Sequence, residues 1–313
     1  MKGVGPRLGI LGLSPGNGHP FSFSAILNFY DDQAFARAGW PVIHAYLQRR
    51  KAEDFGIAGA RVTHAWTQDP AVTRALCAAC RIGQAVARPE DMIGRIDAAI
   101  VARDDQDSHW ALARPFLEAG LPVFVDKPLS TDPAVLARFR PYLEHGKLMS
   151  CAGLRYATEL DEARAGLAGY GEIVSLRGAA IYGWEQYGVH LVEAMFGLTK
   201  ARPRAVSCVR GKHEQMILHL DDGSLATIDA LGAVPVQFTL SIHGRDRASS
   251  HELRDNFSAF KRLLADFVKQ VETGAPSIAP SETLCVMRTL IAGRRAADRG
   301  GGPVELEEVT IDG

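Results

Sequence analysis

The feature that most limits the fold is a string of short apolar runs in the first half of the chain. Residues 7–13, 61–66, 84–87, 96–102, 121–125 and 147–152 read as strands, and residues 69–81, 109–119 and 132–145 carry apolar side chains at helical spacing. Strands this short and this uniformly apolar are covered on both faces. The pattern therefore predicts βαβ units around a parallel sheet with helices on either side. Ligands of such sheets lie beyond the carboxyl ends of the strands, so the residues that follow each strand are the first place to look for function.

Past residue 153 the pattern changes. Residues 173–180, 205–210, 215–220, 224–231 and 236–243 read as strands, with Asp221-Asp222-Gly223 as a hairpin turn between two of them. Helices are expected over 185–196, 257–272 and 281–299. This is an α+β pattern on a mostly antiparallel sheet. The 313 residues suit two domains of about 150 residues each, and the change of pattern divides them at 1–153 and 154–313. The expected fold class is α/β, with an N-terminal doubly wound parallel sheet followed by an α+β domain with an open, mostly antiparallel sheet.

Charge excludes some partners. Lys plus Arg number 35 and Asp plus Glu 36, so the chain exerts no general pull on nucleic acid or an anionic membrane. No apolar run approaches the roughly 18 residues of a membrane span. Residues 8–13 are too short and glycine-rich for a signal-peptide core. Five scattered cysteines make no disulfide framework, and a cytoplasmic location is the expectation.

The first strand leads into Gly12-Leu13-Ser14-Pro15-Gly16-Asn17-Gly18. A glycine-rich turn lets main-chain N–H groups approach a pyrophosphate, but Ser14 stands where the second glycine of G-x-G-x-x-G would be, and an ordinary βα turn reads equally well. The second strand ends near Thr67, where an acid would hold the adenosine ribose of NAD. The missing acid leans toward NADP, yet no arginine adjoins Thr67, so NAD and NADP both stay open. Asp69, ahead of Pro70, reads as a helix cap. Asp126-Lys127-Pro128 closes the fifth strand and sends an ammonium toward the ligand crevice, with Pro128 a candidate for a cis bond. Taken with the other strand ends, cofactor contacts are expected from Gly12, Leu13, Ser14, Gly16, Asn17, Gly18, Thr67, Ala102, Arg103, Asp126 and Lys127. Cys77-Ala78-Ala79-Cys80 lies inside a helical pattern with no partner for a metal site, and His213 and His219 make no recognisable ligand set, so no metal is expected.

The runs IDAAIVA, AGLPVFVDKPLS, GEIVSLRG and YGVHLVEAMFG, with His109 between the first two, resemble the Gfo/Idh/MocA family of nicotinamide-dependent oxidoreductases. The resemblance covers nearly the whole chain. It implies an N-terminal Rossmann domain, a C-terminal sheet domain that often forms dimers or tetramers, and a lysine, here Lys127, that acts on a substrate hydroxyl or carbonyl beside the nicotinamide. The family's second signature is an aspartate four residues before a histidine. Helical spacing would put the two on one face. His190 matches; the aspartate has become Gln186, which hydrogen-bonds but takes no proton. The resemblance thus offers Lys127, His190 and, three residues before it, Tyr187 as catalytic residues.

About 47 residues separate the first two strands, more than one crossover needs. The Gly-Asn-Gly-His-Pro start and the Trp-Glu-x-Tyr-Gly-x-His helix resemble a branch set apart from the family's sugar dehydrogenases. His19, Arg155, Tyr156, Trp184 and Gln186 are then candidates to bind substrate, although such residues more often pack or face solvent. The expected reaction is hydride transfer between NAD(P) and an alcohol or carbonyl of a small polar, sugar- or cyclitol-like metabolite. Two alternatives stand beside it: a non-redox or internal-redox enzyme on the same fold, and a nucleotide-binding regulator without catalysis.

Overall fold

Apolar strands buried on both faces assemble as expected. The computed structural model describes residues 5–235 and 238–311. In chain order the first half gives β1 (Arg7–Leu11), α1 (His19–Asn28), α2 (Asp32–Ala36), α3 (Pro41–Leu47), β2 (Arg61–Trp66), α4 (Pro70–Ala79), β3 (Gln84–Ala85), β4 (Ala98–Val101), α5 (Gln106–Glu118), β5 (Val123–Val125), α6 (Pro133–Glu144) and β6 (Leu148–Met149). The sheet runs β3-β2-β1-β4-β5-β6, with every pairing parallel. This is the doubly wound order, and its strand sequence reverses between β1 and β4. The loops after β1, β4 and β5 therefore meet at one crevice.

The long first crossover holds three helices. In α1 every residue from Pro20 to Asn28 is buried. A helix with no polar face shows no amphipathic period, which is why spacing alone does not reveal it. Phe23 of α1 packs on Phe124 of β5, with ring centres 6.1 Å apart, and anchors the helix to the sheet. Asp69 caps α4 as expected, its carboxylate accepting the Ala71 N–H at 2.7 Å. Cys77 and Cys80 are free thiols. Burial pushes Cys77 up to about 11 and Cys80 well above its ordinary value, so neither supplies a reactive thiolate.

The second half gives α7 (Asp161–Ala165), β7 (Ile173–Ala180), α8 (Val189–Phe196), β8 (Pro203–Arg210), β9 (Glu214–Leu220), β10 (Leu225–Ala230), β11 (Thr239–Gly244), β12 (Ala248–Glu252), α9 (Asn256–Thr273), α10 (Pro280–Asp298) and β13 (Val304–Glu305). The sheet order is β12-β11-β7-β10-β9-β8-β13, antiparallel except for β7 with β10. The hairpin at Asp221-Asp222-Gly223 is present, with Gly223 at φ +86°, a left-handed conformation that suits glycine. Val236 and Gln237, where the last predicted strand was to begin, lie outside the described residues. The strands β12 and β13 were not anticipated: one is polar apart from Ala248 and the other has two residues.

Contacts divide the chain into two units. One comprises Met1–Ser130, Arg138–Ser150 and Phe260–Pro280; the other comprises Thr131–Ala137, Cys151–Ala259 and Ser281–Gly313. Most of α9 thus belongs with the parallel sheet, where Phe267 packs on Phe124 at 5.8 Å. Among the described residues no helix is long and apolar enough to cross a membrane.

Candidate active site

Five of the residues singled out by sequence meet at the carboxyl ends of β1, β4 and β5. Ser14, Asn17, Asp126 and Lys127 are buried, and His19 nearly so. Buried charges persist only when paired, and these are. Asp126 follows β5 and accepts from Nδ1 of His19, from Asn17 Nδ2 at 3.2 Å and from the Lys127 N–H at 2.9 Å. Burial pushes the Asp126 carboxyl up; the charge and hydrogen bond of His19, aided by Lys127, outweigh it and hold the group at about 2. The Lys127–Pro128 bond is cis.

Lys127 Nζ lies 3.7 Å from Asp104 Oδ2, and the Ser14 hydroxyl donates to the same carboxylate. Sequence reading did not select Asp104. Its signal was its place three residues beyond the apolar end of β4. Arg103, which was selected, is tied by two hydrogen bonds of 2.7 and 2.6 Å to Asp105. Ala102 extends the sheet, its N–H donating to the Leu11 carbonyl at 2.8 Å. His109 is fully buried and its ring nitrogens meet the carbonyls of Arg103 at 2.8 Å and Leu129 at 3.0 Å, bracing the loops after β4 and β5.

The glycine loop tests whether a dinucleotide fits. Gly16 adopts φ +78° with nothing within 4 Å of where a Cβ would stand. Among the described residues, the N–H groups of Ser14, Gly16 and Gly18 meet no protein acceptor. Unsatisfied amides around an open glycine suit a pyrophosphate. The ribose end departs from the usual pattern. The Thr67 hydroxyl donates to the Asp69 carbonyl at 2.7 Å and pairs with Thr73, so it is engaged at the start of α4. The neighbouring Gln68, not selected from sequence, is exposed and clasps Leu13, whose N–H it accepts at 2.8 Å and to whose carbonyl it donates.

The remaining candidates lie in the second unit. Helical spacing put Gln186 and His190 on one face, but Trp184–Gly188 forms a wider π-helical turn before α8. Gln186 lies in that turn, is exposed and lines a depression of about 320 Å³ with Trp184, Glu185, Arg210, Glu214 and Arg294. His190 is buried, its ring 5.6 Å from Tyr187 and 5.2 Å from Phe238. Trp184 is a core residue whose indole donates to the Leu290 carbonyl at 2.9 Å. Arg155 binds the buried Glu193 at 2.5 Å and Glu282 at 3.2 Å. Tyr156 ends the adjoining 3-10 turn, half-buried.

Residues 36–147 match the Gfo/Idh/MocA family, an oxidoreductase family with an NAD-binding Rossmann fold. The match spans about a third of the chain and is to an NAD-binding Rossmann fold. Solved structures of the same fold include myo-inositol 2-dehydrogenase from Lactobacillus plantarum, 16% identical, with a TM-score of 0.76 over 96% of this chain and 99% of that one. Scyllo-inositol dehydrogenase from Lactobacillus casei, solved with NAD(H) and scyllo-inositol, is 15% identical, with a TM-score of 0.74 over 97% and 99%. Myo-inositol dehydrogenase from the same organism, solved with NAD(H) and myo-inositol, is 12% identical, with a TM-score of 0.74 over 96% of each chain. No curated protein matches this chain in sequence.

Proposed function

We propose that the protein transfers hydride between NAD and an alcohol or carbonyl of a small polar metabolite of the sugar or cyclitol kind. The observation that carries this reading is the buried Lys127 ammonium, 3.7 Å from Asp104, at the strand ends where the family's fold takes its cofactor. Bound NAD supplies the hydride acceptor or donor. An ammonium there hydrogen-bonds the reacting oxygen and stabilises the negative charge it gains as its proton leaves. The open amides of Ser14, Gly16 and Gly18 support a role in holding the pyrophosphate. An imidazole handles the proton; the resemblance offers His190, with Tyr187 beside it, as one candidate for this. The inositol substrates of the fold's solved relatives support the cyclitol class. We further propose that the protein works in the cytoplasm as a dimer or tetramer assembled through the seven-stranded sheet, which light scattering tests.

The test is oxidation of a panel of inositols and sugars, followed by the absorbance of reduced NAD. Lys127→Ala should lower kcat/KM by about 100-fold or more with the melting temperature nearly unchanged. A variant with the wild-type rate would contradict the proposal.

A further inference from the structure

The proposed reaction needs a group that takes the hydroxyl proton, and the aspartate that would partner His190 is replaced by Gln186. A second imidazole stands inside the Lys127 cluster. His19 opens α1, and its Nδ1 contacts the Asp126 carboxylate. Asn17 ties the pair together: its Nδ2 donates to Asp126 at 3.2 Å and its Oδ1 accepts the His19 main-chain N–H at 2.8 Å. An ionised carboxylate only accepts hydrogen bonds, so Nδ1 carries the hydrogen. In the neutral ring the lone pair is then on Nε2, which meets no hydrogen-bond partner among the described residues. The ring plane is set on two sides, stacked on Phe23 at 4.9 Å and edge-on to Phe260 at 4.9 Å. A buried carboxylate, an imidazole bound to it through Nδ1 and an uncommitted Nε2 are the parts of an oriented general base.

We infer that His19, oriented by Asp126, is the proton acceptor for the hydroxyl that Lys127 binds. The inference rests on the dehydrogenase reading above. In oxidation the substrate O–H bond breaks and its proton goes to Nε2. The C–H bond on the same carbon breaks with its electron pair, and hydride passes to oxidised NAD. The products are a carbonyl, an imidazolium and reduced NAD, and the imidazolium returns its proton to water. In reduction the imidazolium donates. Asp126 is a positioning residue. The charged group in contact with the ring is Asp126; Lys127, next to it in the chain, pairs with Asp104 after β4; α1 and α9 present Phe23 and Phe260 to the ring, while Lys261 of α9 donates to the Asp54 carbonyl.

Two measurements test this. The first is the nitrogen NMR spectrum of the histidine side chains in the full-length protein, which needs no substrate. In its neutral form His19 should show the Nδ1–H tautomer, and Asp126→Asn should remove that preference; an Nε2–H tautomer in the wild type would overturn the inference. The second compares His19→Gln with His190→Gln and Lys127→Ala, assayed with NAD and myo- or scyllo-inositol across pH. Glutamine at 19 still donates to Asp126 but accepts no proton, so the variant keeps its fold and binds NADH within about threefold of wild type. It should lose about 100-fold or more in kcat together with the fall in rate at acid pH, whereas His190→Gln should keep that fall. A His19→Gln enzyme that retains its rate, or retains the acid limb, overturns the role of His19. If Lys127→Ala is inactive at the same time, the dehydrogenase reading survives that failure. If Lys127→Ala is also fully active, both fall together.

Discussion

Lys127 and Asp104 face each other across adjacent strand ends, with Nζ 3.7 Å from Oδ2, and the Ser14 hydroxyl donates to the same carboxylate. Asp104 thereby links the glycine loop after β1 to the lysine after β5. It holds the ammonium at the crevice without burying it in a closer pair. Asp104→Asn keeps the shape and removes the charge. The variant should fold normally and lose about tenfold in kcat/KM, because the lysine is present but less well positioned. Steady-state kinetics beside Lys127→Ala check this, and a loss equal to that of Lys127→Ala would mean that Asp104 does more than position.

Asp126 makes the site a source of acid sensitivity. Its carboxyl is held at about 2, below its ordinary 3.8, in spite of burial. Because the folded value lies below the unfolded one, the stabilisation is complete above about pH 4 and is lost as pH falls through about 2. The shift corresponds to about 2 kcal/mol. The stability gap between wild type and Asp126→Asn should narrow by about that amount between pH 6 and pH 2. Urea unfolding at a series of pH values measures it, and a gap that does not change with pH would refute the assignment.

Arg155 shows how a residue picked for a site can be committed elsewhere. It binds the buried Glu193 of α8 at 2.5 Å and reaches Glu282 at 3.2 Å. Burial drives the Glu193 carboxyl up, and Arg155 opposes that rise. Arg155→Met strands a buried acid and should destabilise the protein by about 3–5 kcal/mol at neutral pH. The penalty should shrink as pH falls and Glu193 takes a proton. The double variant with Glu193→Leu should recover much of the loss, since an apolar pair can replace a buried ion pair. Chemical denaturation of the three variants decides the matter.

Much of the fold was legible because strands buried on both faces leave uniform apolar runs. Residues 61–66 and 173–180 match β2 and β7 to the residue. The helices of the first crossover were not, since α1 is buried all round and has no period to read. Lys127 could be found from its place after a strand. His19 and Asp126, 107 positions apart, could be named from sequence but not paired, because only the fold brings them together. Gln186 and His190 differ in exposure despite their spacing: Gln186, in the π-helical turn, is exposed and His190 is buried. Thr67 had the right position but a hydroxyl already engaged, and Gln68 beside it gave no signal that it would clasp Leu13.

The central claim is that the crevice at the ends of β1, β4 and β5 holds NAD against Lys127. Its most direct test is calorimetric titration of ligand-free protein with NADH and then NADPH. The account predicts saturable binding of NADH, weakened at least tenfold by Gly16→Asp, which would place a carboxylate where the pyrophosphate is expected. Folded protein that takes up neither dinucleotide would contradict it.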